Sequence, residues 1–179
     1  MRLLFAVVMV AIASSGSAQN QPGDNQGGSE PQLAKQLEVL KLYHQTANPK
    51  MDDFAGCDQK LRIQMIERAN SNYKLGMYAD AEAGFRHAAH AFAVCALGTN
   101  RLYQGPRLTI AAAAKGAGVA LMNSVLAQKA TGVILPPTRV DARNALILLE
   151  ADPAGNAQAI ATLKASGLVD DKSAGRATR

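Results

Sequence analysis

Residues 58–95, DQKLRIQMIERANSNYKLGMYADAEAGFRHAAHAFAVC, decide the fold. Asp58 can cap a helix running to about Leu75, with Leu61, Met65, Ile66, Ala69 and Tyr73 roughly on one face. Gly76 breaks it. From about Ala79 a second helix carries Ala81, Phe85, Ala88, Phe92 and Cys95 at offsets of 4, 7, 11 and 14, an apolar stripe of helical period. Two such helices joined by a tight turn make an antiparallel hairpin. Cys57 lies twenty residues before Met77 and Cys95 eighteen after it, so the open end of the hairpin brings the two cysteines together. A Cys57–Cys95 disulfide is the expectation in an oxidising compartment.

Helical signals continue on both sides. Ser29-Glu30-Pro31-Gln32 reads as a capping box that opens a helix from Pro31 to about Thr46, with Leu33, Leu37, Leu40 and His44 at helical spacing. Asn48-Pro49 ends it, and residues 50–58 form a loop. After a break at 98–106, the segment LTIAAAAKGAGVALMNSVLAQK predicts a fourth helix from about Pro106 to Lys129. Lys115, Asn123 and Gln128 interrupt it, which fits a close-packed interior helix better than a membrane span, and Gly116 and Gly118 would let a neighbour approach. Thr138 with Asp141 resembles a capping box for a fifth helix to about Glu150. Asp152-Pro153 opens a sixth that stops at Gly167, with Leu168 packing back on it. The absence of Trp, an aromatic content of 4% and many alanines agree with helices rather than a β-sandwich or barrel. The fold class expected is all-α, five or six helices in antiparallel hairpins.

Residues 62–95 resemble one tetratricopeptide repeat, through Ala69 and Tyr73 in the first helix, Gly76 and Tyr78 at the turn, and Ala81, Phe85 and Ala88 in the second. The start of the family pattern falls on Met65, Arg68 and Ala69, and its terminal proline position is Ala93. One period onward, Lys115 and Val119 stand where Ala and an aromatic are expected, so no second copy follows in phase. The resemblance implies a tetratricopeptide-like or compact helical bundle with a protein-binding surface and no chemistry.

The first residues set the compartment. Arg2 is followed by an unbroken apolar run of eleven residues, Leu3 to Ala13, and then Gly16-Ser17-Ala18 at a signal-peptidase position. Crossing a bilayer takes about 20 apolar residues, so the run reads as a signal peptide over 1–18 and not as an anchor. Residues 19–30 read as a disordered linker, 31–168 as a single helical domain and 169–179 as a disordered tail. Of the 19 basic and 14 acidic residues only Arg2 lies in the signal, so the exported part carries 18 and 14, or +4. The expected localisation is periplasmic or secreted, with no transmembrane span after cleavage.

No pattern for catalysis, cofactor or metal binding stands out, and none of these sites is expected. His87 and His90 are three apart on one helix, but zinc needs three or four ligands. Asp52-Asp53 and Asp170-Asp171 are adjacent pairs outside helices and set no defined carboxylate separation. Phosphate loops, nucleophile elbows and metalloprotease signatures are missing from the sequence. From Ala83 to Val140 there is no carboxylate, while Arg86, Arg101, Arg107 and Lys115 supply candidate anion contacts. The expected function is therefore a non-enzymatic interaction or scaffold module of the cell envelope, with another envelope or secreted protein as partner. Its alternatives are a binder of anionic lipid head groups or acidic polysaccharide through segment 83–140, and an enzyme with an unrecognised site. With so few aromatics to stack bases, nucleic acid is not expected.

Overall fold

The computed structural model of the chain describes residues 30–47, 57–98 and 107–169. The expected signal peptide, linker residues 19–29, Arg101 and the tail from residue 170 lie outside them. The described residues form six α-helices and no strand: α1 (Glu30–Thr46), α2 (Gln59–Lys74), α3 (Tyr78–Leu97), α4 (Ile110–Ala130), α5 (Pro136–Leu149) and α6 (Ala157–Ala165). The expected all-α architecture is what the chain adopts.

Two antiparallel hairpins make the frame. In the first, Asp58 accepts from the Leu61 N–H and so caps α2. Gly76 then turns the chain with φ +77°, a conformation that costs a residue with a Cβ about 1–2 kcal/mol. α4 and α5 form the second hairpin, and α4 packs antiparallel to α3: Ser124 meets Glu82 at one level, and Gly116 meets Phe92 further along. A Cβ on Gly116 would lie 2.2 Å from the Phe92 ring, so only glycine lets these two helices close. Gly118 faces Leu148 and Leu149 of α5, where a built Cβ would make a tight contact of 3.1 Å. The approach expected at both glycines is present.

α4 is the centre of the domain. It packs against α3, α5, α1 and α6, while α2 lies at the edge on α3. By length and composition α4 could cross a membrane, but ten of its residues, Leu121 and Val125 among them, are buried inside the domain. Alanines fill much of the α3–α4 seam and bury little area each. The large fully buried side chains are Leu40, Leu121, Leu148, Leu149 and Leu163, where truncation to alanine costs about 2–5 kcal/mol.

Several boundaries and faces differ from those the sequence predicts. Thr109, not a residue near Pro106, caps α4, by accepting from the Ala112 N–H. α5 begins at Pro136, where prolines without N–H groups fit the first helical turn. Thr138 and Asp141 are then buried inside the helix and form no capping box. Asp152 accepts from the Gly155 N–H in a turn, and α6 starts later, at Ala157. On α1 the buried face is Gln36, Val39, Leu40 and Tyr43, while Leu33 is 45% exposed. The face is rotated because Tyr43 and Gln32 find polar partners on α5. On α2, Arg62 is buried where Leu61 was expected, its guanidinium 5.3 Å from the Phe92 ring centroid.

Hairpin geometry fixes the ends of the domain. Because α3 and α4 are antiparallel, the α2–α3 turn (75–77) and the α4–α5 turn (131–135) open on the same end. α6 also finishes there, since Lys129 at the end of α4 donates to the Ser166 carbonyl at 2.6 Å. We refer to this as the turn end. Cys57, Arg107 and the start of α4 lie at the opposite end.

Candidate functional site

Three places could carry function: the cysteine pair, a buried polar seam, and the surface of the turn end.

The hairpin does bring Cys57 and Cys95 together. Both are buried, and the Cys57 thiol is hydrogen-bonded to Cys95. Arg107 Nη1 reaches Cys57 Sγ at 3.7 Å. Burial, then the hydrogen bond and charge of Cys95, push the Cys57 thiol up to about 12, against the pull of Arg107 and Arg62. Such a thiol is not ionised near neutrality, so it is no nucleophile in the dithiol state. What the geometry offers is pairing.

The polar seam joins four helices. Tyr43 of α1 donates its hydroxyl hydrogen bond to Asp141 Oδ1 of α5. Arg86 of α3 lies 2.8 Å from Asp141 Oδ2 and 2.6 Å from Glu82 Oε1. Ser124 of α4 donates to Glu82 at 3.2 Å. Burial opposes the charge on Arg86, but Asp141 and Glu82 overcome it and hold its pKa above the ordinary value. Burial, followed by the Asp141 hydrogen bond, raises the Tyr43 pKa. His90 completes the seam: its Nδ1–H donates to the Tyr43 carbonyl at 2.8 Å, and its ring meets the Tyr43 ring edge-on at 5.5 Å. A carbonyl only accepts, so the proton sits on Nδ1. Burial lowers the His90 pKa, although the Tyr43 carbonyl opposes the shift. Every charge here is matched by a partner from another turn or helix, which suits a clamp between elements.

His87, by contrast, is exposed, and the two histidines do not converge on a third ligand. Among the described residues no group of three or more His, Cys, Asp or Glu could hold a metal ion.

The candidate anion contacts are dispersed. Arg86 is taken up by Glu82 and Asp141, Lys115 lies 3.5 Å from Asp152, and Arg107 sits beside Cys57. Arg101 lies outside the described residues. The carboxylate-free run from 83 to 140 is therefore not free of carboxylates in space, because Glu82 and Asp141, which border it in sequence, and Asp152, further on, reach into it.

Sequence reading passed over the surface of the turn end. Ten large apolar side chains are exposed among the described residues, and five of them sit on its two turns. They are Leu75 (75% exposed), Met77 (47%), Val133 (58%), Ile134 (37%) and Leu135 (49%). The run Val133-Ile134-Leu135 between Gly132 and two prolines was the available signal, but read as punctuation between helices it carries no hint of its exposure.

Comparison with known proteins does not extend this picture: no protein-family model, curated protein or solved structure matches the chain.

Proposed function

We propose that this chain is an exported, non-enzymatic helical module of the cell envelope that works by contact, through the turn end. The observation that carries the reading is the concentration of exposed aliphatic side chains on two adjacent hairpin turns of an otherwise well-packed domain. Apolar residues scattered singly need no explanation, but a group of them at one end marks an interaction surface. The charged residues of the Tyr43–Asp141–Arg86 seam are occupied in holding helices together. The tetratricopeptide-like hairpin and the signal-like N-terminus support the same reading, and export would make a Cys57–Cys95 disulfide part of it.

The test is a photo-crosslinking amino acid placed at Val133 and, separately, at Ile63 on the outer side of α2, in cells that produce the chain. Adducts formed from Val133 and not from Ile63 are the expected outcome. Adducts from Ile63 alone would move the contact surface to α2 and defeat the reading.

A further inference from the structure

We infer that the partner of the turn end is the surface of an anionic phospholipid bilayer, an assignment that rests on the contact reading above. Three helices, α2, α4 and α6, finish at this end, and each has a lysine in its last turn: Lys74, Lys129 and Lys164. All three are exposed. Lysine in a last turn also complements the helix dipole, yet here the three share one end of the domain with exposed Val, Ile, Leu and Met, Lys129 resting on the Ser166 carbonyl. The exposed carboxylate at this end, among the described residues, is Asp80, since Glu82 and Asp141 are tied to Arg86. An aliphatic tip with lysines at the same end is complementary to an acidic head-group layer above acyl chains.

The backbone of the tip is suited to that environment. Polar groups entering lipid must already be hydrogen-bonded. The Val133 carbonyl accepts from Gln128 Nε2 at 2.8 Å, and the Val133 N–H donates to Thr131 Oγ1 at 3.3 Å. The Leu135 carbonyl accepts from the Thr138 N–H at 3.0 Å, and Pro136 and Pro137 have no N–H to satisfy. Three of the six backbone N–H and C=O groups of Val133, Ile134 and Leu135 therefore reach the interface already hydrogen-bonded. A protein partner fits less well. Protein hot spots favour Trp, Tyr and Arg, and protein interfaces are depleted in lysine.

The test is co-sedimentation of the exported chain, in the form in which it accumulates, with vesicles of phosphatidylglycerol and phosphatidylethanolamine or of phosphatidylcholine alone. Three variants are compared: Val133→Asp/Leu135→Asp, Lys74→Glu/Lys164→Glu, and Leu33→Asp, which changes an exposed leucine at the opposite end. Far-ultraviolet circular dichroism checks that each stays folded. The expected results are binding to the anionic vesicles only, a loss of about tenfold or more in the tip variant, and wild-type binding for Leu33→Asp. Each lysine contributes about fivefold at low salt, and raised salt removes that part. Equal binding to both vesicles, no binding, or binding indifferent to the tip variant would overturn the assignment. So would a tip-dependent dimer seen by light scattering. In those cases the crosslinking experiment decides the broader reading: a Val133 adduct with an envelope protein preserves it, and no adduct removes it as well.

Discussion

Replacing Asp141 with alanine should loosen α1 before it loosens anything else. Asp141 has a side chain only 9% exposed and holds two partners, the Tyr43 hydroxyl and the Arg86 guanidinium. Removing the carboxylate leaves a buried tyrosine hydroxyl without that acceptor, a loss of about 1–2 kcal/mol. Arg86 keeps Glu82 and is 35% exposed, so water relieves part of its loss, which is about 1 kcal/mol. The sum, about 2–3 kcal/mol, corresponds to a fall in Tm of about 8 °C for a domain of this size. The assay is a double-mutant cycle of Asp141→Ala and Tyr43→Phe, followed by urea unfolding, with hydrogen exchange on the single mutants. A coupling of about 1 kcal/mol and faster exchange confined to α1 amides are expected. Additive single effects within about 0.3 kcal/mol, or exchange raised uniformly, would refute the clamp.

Four further outcomes are expected. Oxidising the chain should join Cys57 and Cys95, with loss of two protons and two electrons to a disulfide oxidant, read by mass as two hydrogens fewer. Closing a loop of about 38 residues, from 57 to 95, stabilises by about 4 kcal/mol on chain-entropy grounds, so reduction should lower Tm by about 12 °C. In the reduced protein, Cys57 should resist alkylation at pH 8 while the chain is folded and react when it is denatured, because burial and Cys95 raise its pKa. His90 has a folded pKa below the unfolded 6.5, so its contribution to stability is complete above pH 6.5 and is lost as pH falls towards the folded value. Replacing it with Gln should flatten that part of a stability–pH curve. Gly116→Ala should cost about 1–3 kcal/mol by pushing Phe92 out of place, and a Gly116→Ala/Phe92→Leu double variant should recover part of the loss.

How much of this was legible depends on the range over which each signal acts. Local signals carried through: Asp58 as cap, Gly76 as turn, and the stripe from Ala81 to Cys95. So did a geometric consequence of the hairpin, the meeting of Cys57 and Cys95. Cap signals failed where two readings compete for one stretch. Pro136-Pro137 starts α5 before Thr138 can act as its cap, so the Thr138–Asp141 spacing reflects a helical interior. Long-range polar pairs left no trace: Tyr43 and Asp141 are 98 residues apart, and nothing in either neighbourhood names the other. The same limit affected the anion contacts. A stretch without carboxylates looks basic in one dimension, yet the charges that answer Arg86 and Lys115 come from just outside it. The turn-end surface was hidden for the opposite reason. Val133-Ile134-Leu135 has the composition of a core segment, and only the fold shows that it stands in the open.

The attachment of α1 also constrains how the chain can acquire its structure. α1 precedes the other helices in the chain, but two of the polar anchors that hold it arrive late. Gln32 donates to the carbonyl of Glu150, 118 residues further on, and Tyr43 waits for Asp141. The first helix can meet α3, where His90 holds the Tyr43 carbonyl, before its anchors on α5 exist, and the α2–α3 hairpin can close on its own contacts. In vectorial emergence the first helix is fully fastened only after the rest of the frame has formed. For a protein whose N-terminus reads as an address for export, such a delay would leave the first helix loosely held until α5 is in place.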